Sequence, residues 1–286
     1  MAQVHHRTID IDGVAVFYRE AGPKDAPVLL APHGYPCSSY EFRNLAARLG
    51  DRFRVLAPDF PGCGHSATPL EFAYGFDGFA AFLDRFARTV EAERFALYLH
   101  DFGSQIGLRL AIAHPDKITG LIIQNGDIYE DALGPGYDPL KAYWDNPTTQ
   151  AKAKLGDAIN EAGYRHEFLN GSQAVADRLS PDLWKLHWAL TTPQRASIHL
   201  EVIAGLRENR DWFERYQAYL RDHQPAALIL WGPNDSYMPA AAGRAYLRDL
   251  PDAHLHMFDD GGHWLLETHL DAVEPLIREF MEGLQP

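Results

Sequence analysis

Residues 99–107 read LHDFGSQIG. The apolar run RFALYLH ends at Asp101, and a helical pattern, QIGLRLAIAH, opens at residue 105. A carboxylate at the tip of a buried strand can cap the following helix, join an ion pair, or act as a nucleophile. Gly103 and Ser104 directly after it suit a very tight strand-to-helix turn, which a bulky side chain would obstruct. Such a turn pushes its central side chain out of the sheet and sets a helix N-terminus beneath it, favouring an anion. Ser104 is the rival nucleophile, but it falls inside the helix start rather than at the apex of a G-x-S-x-G turn.

Around this stretch the same alternation repeats. Residues 7–20 read as a hairpin about Asp12-Gly13, with period-two alternation in VAVFY. PVLLAP (27–32), FRVLAP (53–58), ITGLIIQN (118–125), AALILWG (226–232) and HLHMFD (254–259) are short, buried-type strands. Phe79, Phe82, Leu83 and Phe86 follow helical spacing within residues 76–90, and residues 269–284 read as a closing helix. Apolar strands alternating with amphipathic helices predict an α/β chain with a mostly parallel sheet covered on both faces, the opening hairpin forming its antiparallel edge. Residues 127–224 break the pattern, with only helix-like segments rich in Trp, Tyr and His. The expected organisation is a core of residues 1–126 and 225–286 carrying an inserted helical cap at 127–224, with EDALGPGYDP (130–139) as the hinge.

Composition narrows the function classes. Of 286 residues, 46% are hydrophobic, enough for a sizeable core. The formal charge of −13 opposes a nucleic-acid or anionic-membrane partner, since both need clustered cations. Cys37 and Cys63 lie in separate segments and form no C-x-x-C, which fits a reducing cytoplasm, with a single disulfide as the alternative. The N-terminus lacks an apolar leader and no 18-residue apolar run occurs, so a cytoplasmic location is expected. His254 and His256 alternate on one strand, but no third ligand accompanies them and no metal site is expected.

In open parallel sheets, sites form beyond the carboxyl ends of the strands. Those ends carry His33-Gly34-Tyr35-Pro36, Asp59, Asp101, Asn125, Asp235 and His263. Any one of them could simply close a turn or cap a helix. As a set, Asp101, Asp235 and His263 supply nucleophile, acid and histidine in chain order, 134 and then 28 residues apart.

HGYP (33–36), HDFG (100–103), ND (234–235) and GGH (261–263) together resemble the α/β-hydrolase fold over most of the chain. The pattern is similar to its epoxide hydrolase and haloalkane dehalogenase branch, whose turn nucleophile is aspartate. That resemblance implies that Asp101 attacks carbon and that His263, oriented by Asp235, activates water. It also implies an oxyanion hole from the backbone N–H groups of Tyr35 and Phe102. DFPGCGHS (59–66) resembles the family's D-x-x-G-x-G-x-S turn, which is structural there. Asn125 stands where some relatives place the acid, with Asp127 a weaker substitute.

The chemistry agrees with the residues. A carboxylate gains little against an ester, because the product is an anhydride, but it can displace oxygen or halide from an sp3 carbon. The resulting alkyl-enzyme ester needs only a base for water and donors for an oxyanion, so no cofactor is expected. The expected partners are a small neutral organic substrate and water, and the chain is compatible with a homodimer.

The leaving group divides the branch. An epoxide oxygen needs an acidic O–H, whereas a halide needs N–H donors. Tyr35 and Phe102 stand where many dehalogenases carry Asn and Trp, and haloacetate dehalogenases carry Arg at the second place. HGYP resembles the HGxP of epoxide hydrolases. Tyr143 lies about where their first cap tyrosine is expected, and Tyr216 is the candidate for the second, while Trp144 is placed to imitate a halide donor. Each could equally pack between helices. Epoxide opening is the expected reaction, dehalogenation the alternative. A third reading is a catalytically silent binding protein of this fold, which the intact triad disfavours.

Overall fold

The computed structural model describes residues 1–284, so the last two residues of the expected core segment, 285 and 286, lie outside the described residues. Its strands are β1 (Val4–Ile11), β2 (Val14–Ala21), β3 (Val28–Leu30), β4 (Arg54–Pro58), β5 (Phe95–His100), β6 (Ile118–Gln124), β7 (Ala227–Trp231) and β8 (His254–Met257). They form one sheet in the order β1-β2-β4-β3-β5-β6-β7-β8. The pairs β1·β2 and β2·β4 are antiparallel and the rest parallel, so the opening hairpin is the antiparallel edge. Its turn holds Asp12 and Gly13 at φ 52° and 82°, the left-handed pair that a two-residue hairpin needs to match strand twist.

Strand alternation sorts the core into two layers. Leu97, Leu99, Leu121, Ile123 and Ile229 face one side, together with α2 (Phe76–Thr89) and α3 (Phe102–Ala113). Ala96, Tyr98, Ile122, Leu228 and Leu230 face the other. That side packs on α1 (Arg43–Leu49) and on the closing helices, which the structure divides at His269. Helix α2 carries Phe79, Phe82, Leu83 and Phe86 on one buried stripe. Each such side chain contributes about 1.5–3 kcal/mol by burial.

Between β6 and β7 the described chain is helical. It runs through α4 (Asp138–Asp145), α5 (Thr149–Gly156), α6 (Glu161–Leu169), α7 (Asp182–Ala189), α8 (Pro193–Ala204), α9 (Leu206–Asn209) and α10 (Phe213–His223). After β7 come α11 (Ala240–Ala245), then α12 (Leu265–Thr268) and α13 (Leu270–Gly283). The insertion meets the core in two ways. Tyr164, Phe168, Leu183 and Trp184 of α6 and α7 pack with Cys37 and Trp264 from loops at the strand tips. Phe213, Tyr216 and Leu220 of α10 instead join the layer that contains α2 and α3. Residues 130–139, read from their Gly and Pro content as a hinge, are tied to the loop after β7: Gly134 N–H donates to the Tyr237 carbonyl (2.7 Å) and Gly136 N–H to the Ser236 carbonyl (2.8 Å). No helix among the described residues is long and apolar enough to cross a membrane.

Candidate active site

Asp101 sits between β5 and α3 with φ 50° and ψ −132°, a left-handed backbone that a non-glycine residue adopts only under constraint. The constraint is crowding. A Cβ on Gly103 would strike the Pro32 carbonyl, one on Gly107 the Leu99 side chain, and one on Gly34 the Asp101 carboxylate. The Asp101 side chain caps nothing through a side-chain hydrogen bond of its own helix start. It is buried, and its Oδ1 accepts the Tyr35 N–H at 2.6 Å. Burial raises its pKa above the ordinary carboxylate value, against the pull of His263, His100 and the Tyr35 and Phe102 amides.

The loops after β7 and β8 bring the other two residues to it. His263 Nδ1–H donates to Asp235 Oδ2 at 2.6 Å, and His263 Nε2 stands 3.6 Å from Asp101 Oδ2. That second separation exceeds a hydrogen bond and leaves Nε2 able to engage a third atom. Burial works against a proton on His263, but the Asp235 carboxylate, its hydrogen bond and Asp101 outweigh it and hold the pKa up, at about 9. Burial likewise works against charge on Asp235, and His263 with the Tyr237 and Met238 amides holds its pKa below the ordinary value.

Asp235 has further partners. Asn125, at the tip of β6, donates its Nδ2 to Asp235 Oδ2 (3.0 Å) and to the Gly232 carbonyl (3.0 Å) and accepts the Gly232 N–H through Oδ1 (2.9 Å). Asn170, from the insertion, donates its Nδ2 to Asp235 Oδ1 at 3.0 Å. Asp127, the weaker candidate for the acid, lies apart from this group. It accepts the Gln105 Nε2 amide at 2.9 Å, and burial pushes its pKa up to about 7.

The motif residues around the site are structural. His33 accepts the Phe60 N–H at Nε2 (3.1 Å) and faces the Gly34 carbonyl through Nδ1 (2.9 Å), and burial lowers its pKa, so the ring is neutral. Pro36 follows a cis peptide bond from Tyr35. Asp59 accepts the Ser39 N–H at Oδ1 and the His65 N–H at Oδ2, both 2.7 Å, and thereby closes the 59–66 turn. His100 donates from Nε2 to the His263 carbonyl (3.0 Å) and meets Glu41 Oε1 at Nδ1 (2.5 Å), bracing the His263 loop from below.

A cavity of about 400 Å³ opens over Asp101 and His263, lined by Tyr35, Phe102, Tyr137, Leu140, Glu167, Tyr237 and Trp264 among others. The leaving-group candidates read from sequence are elsewhere. Trp144 is buried one turn beyond Leu140 on α4, its ring tilted at 36° to that of Tyr137 with Arg210 over its face. Tyr143 packs part-buried against the hydrophobic core. Tyr216 is fully buried on α10, its hydroxyl donating to Asn209 Oδ1 at 3.0 Å, because that helix packs on α3 rather than over the strand tips. None of the three lines the cavity. Glu167 and Tyr237 line it, the Tyr237 hydroxyl donating to Glu167 Oε1 at 3.0 Å. Tyr237 lies two residues beyond Asp235 in a strand-tip loop, a signal available in the sequence; Glu167 and Asn170 carried none beyond their helical context.

The residues that hold no part in this cavity include both cysteines, which are free thiols. Beneath the cavity a buried carboxylate stands beside an imidazole, with the Tyr35 amide hydrogen-bonded to that carboxylate and the Phe102 amide lowering its pKa.

The family described as alpha/beta hydrolase fold matches residues 27–270. The chain is 34% identical over 278 residues to an uncharacterized hydrolase of Saccharomyces cerevisiae, covering 95% of each. Among solved structures it superposes on epoxide hydrolase CorEH with a TM-score of 0.79 at 18% identity, covering 99% of this chain and 100% of that one. A loop variant of haloalkane dehalogenase DbeA from Bradyrhizobium elkanii gives the same TM-score at 23% identity, with 99% and 97% covered. At such identities these two likenesses carry the fold alone.

Proposed function

The chain belongs to the alpha/beta hydrolase family, and from that premise we propose that it is a cofactor-free hydrolase with Asp101 as nucleophile, acting on an epoxide. The observation that carries this reading is the run Asp101 Oδ2 to His263 Nε2 at 3.6 Å and His263 Nδ1 to Asp235 Oδ2 at 2.6 Å, beneath the cavity. Residues 127–224 act as the cap that closes that cavity.

In the first step Asp101 attacks an sp3 carbon, and the C–O bond to the ring oxygen breaks as the ester bond forms. The Tyr35 amide, which orients the attacking carboxylate at 2.6 Å, then serves with the Phe102 amide as the donor pair for the oxyanion of ester hydrolysis. Each such donor is worth roughly 3–4 kcal/mol in a dry site. Esterification removes the Asp101 charge, one of the interactions that keep the proton on His263. The imidazole thereby becomes a better base when water must be deprotonated. Asp235 keeps the Nδ1–H tautomer and stabilises the imidazolium that results.

Halide is the competing leaving group, because a carboxylate can displace either oxygen or halide from an sp3 carbon. Incubating His263→Gln with epoxide, haloalkane and haloacetate panels tests both. The reading predicts that an epoxide adds its mass to the peptide carrying Asp101 and that the adduct persists. Labelling by a halide substrate instead reassigns the leaving group, and no labelling by any panel overturns the covalent reading.

A further inference from the structure

The triad leaves one polar pair in the cavity wall without a task. Tyr237 donates its hydroxyl to Glu167 Oε1 at 3.0 Å, and both side chains line the cavity that contains Asp101 and His263. The backbone at each end is anchored to the catalytic loops. Tyr237 N–H donates to Asp235 Oδ1 at 2.9 Å, and the Trp264 indole N–H donates to the Glu167 carbonyl at 3.0 Å. A tyrosine tied to the triad acid therefore faces a carboxyl tied to the residue after the triad histidine.

Resting on the carbon-attack reading above, we propose that Tyr237 and Glu167 form the proton-delivering pair for an oxygen leaving group, Tyr237 touching the substrate and Glu167 supplying it. As Asp101 attacks carbon, the ring C–O electron pair moves to oxygen, which takes the Tyr237 hydroxyl proton. Tyr237, its hydroxyl turned from Glu167 to the ring oxygen, takes the Glu167 carboxyl proton in turn. The negative charge of Asp101 thus reappears on Glu167, and the substrate leaves this step as a neutral hydroxy-alkyl ester. With the Asp101 charge gone, the resting His263 imidazolium passes its proton to Glu167 and restores that carboxyl; water then hydrolyses the ester, its proton going to His263, and Asp101 is released as carboxylate. The net reaction is epoxide plus water to diol.

Glu167 is suited to hold that proton at neutral pH, because burial pushes its pKa up to about 7. The groups that face it are Tyr237 and Asp235 from the loop after β7, His263 from the loop after β8, Asp101 from the turn before α3, and Tyr35 from the loop after β3. Of these only His263 is a cation. Lys154 of α5 and His166 of α6 line the same cavity. A halide leaving group needs no proton, so the pair specifies oxygen.

The test measures the rate of epoxide adduct formation on Asp101 in a His263→Gln background, where the ester accumulates. Adding Tyr237→Phe is predicted to slow it about 10²–10⁴-fold. Glu167→Gln, whose amide can still hold Tyr237 in place, is predicted to slow it less and to abolish the fall in rate expected at alkaline pH when Glu167 is present, a fall that lies above about pH 7 because His263→Gln removes the imidazolium that lowers the Glu167 pKa. Glu167→Asp is predicted to restore part of that pH dependence. An adduct that forms equally fast, with the same pH profile, in all these variants overturns the pair while leaving Asp101 as nucleophile. Absence of any adduct in the His263→Gln background overturns the reading beneath it. Should Tyr237→Phe fail to fold, the pH profile of Glu167→Gln decides alone.

Discussion

Asn170 donates its amide to Asp235 Oδ1 at 3.0 Å, so a residue of the helical insertion holds the carboxylate that accepts the His263 Nδ1–H. Insertion and core therefore share the geometry of the proposed active site. Asn170→Ala removes a donor from a buried carboxylate, a loss of about 1–3 kcal/mol in stability. With one donor fewer, the Asp235 charge acts more fully on His263 and raises its pKa. The prediction is a lower urea midpoint and a displacement of the acid limb of ester hydrolysis to higher pH.

Asp235→Asn acts in the opposite direction on the same ring. The carboxylate that holds the His263 proton disappears, and the amide offers Nδ1 a donor as well as an acceptor, which disturbs the tautomer. Hydrolysis of the alkyl-enzyme is predicted to fall about 10³–10⁴-fold, by analogy with loss of the acid in other triads. Adduct formation at Asp101 changes far less, which rapid-quench mass measurement resolves.

The two half-reactions should separate in pH. Ester formation needs Asp101 charged, and burial raises that group above the ordinary carboxylate value. Ester hydrolysis needs His263 without its proton, which the resting site holds to about 9. Loss of the Asp101 charge on esterification lowers that figure. Adduct decay is therefore predicted to rise with pH to a plateau whose midpoint lies below about 9 and above that of the rising limb of adduct formation, which follows Asp101. A single shared midpoint contradicts the assignment.

The same shift predicts a stability profile. The folded pKa of His263, about 9, exceeds its ordinary value of 6.5. The stabilisation is thus fully present below 6.5 and is lost as pH rises through 9; its scale is on the order of 3 kcal/mol. Chemical denaturation of wild type and His263→Gln across this window should show the wild-type advantage shrinking toward alkaline pH.

Arg195 of α8 donates to the Gly64 carbonyl (2.7 Å), the Ser66 carbonyl (2.6 Å) and Thr68 Oγ1 (3.0 Å), fastening the insertion to the turn after β4. Arg195→Ala is predicted to cost about 2–4 kcal/mol, since charge-assisted hydrogen bonds contribute about 1.5–3 kcal/mol each and this side chain is part-exposed. Faster proteolysis within residues 127–224 would report the same loosening.

The sheet and the meeting of Asp101, Asp235 and His263 were legible because short apolar strands announce themselves and a parallel sheet gathers its strand tips at one edge. Gly103 marked the turn through the space it leaves beside Pro32. The cavity wall was not legible in the same way. Which face of α4, α6 or α10 turns inward depends on neighbours distant in sequence, so Tyr143, Trp144 and Tyr216 read as plausible donors while Glu167 and Asn170 passed unnoticed. Tyr216 illustrates the difficulty: its helix follows the amphipathic pattern, but its buried stripe serves α3 and not the cavity.

The central claim is that an oxygen of Asp101, not of water, enters the product first. One turnover in H₂¹⁸O with enzyme in excess over a turned-over epoxide tests it directly. The account predicts one ¹⁸O in the peptide carrying Asp101 and none in the first-turnover diol, because water attacks the ester carbonyl. Label in the diol with Asp101 unlabelled would mean direct attack by water on the substrate and would contradict it.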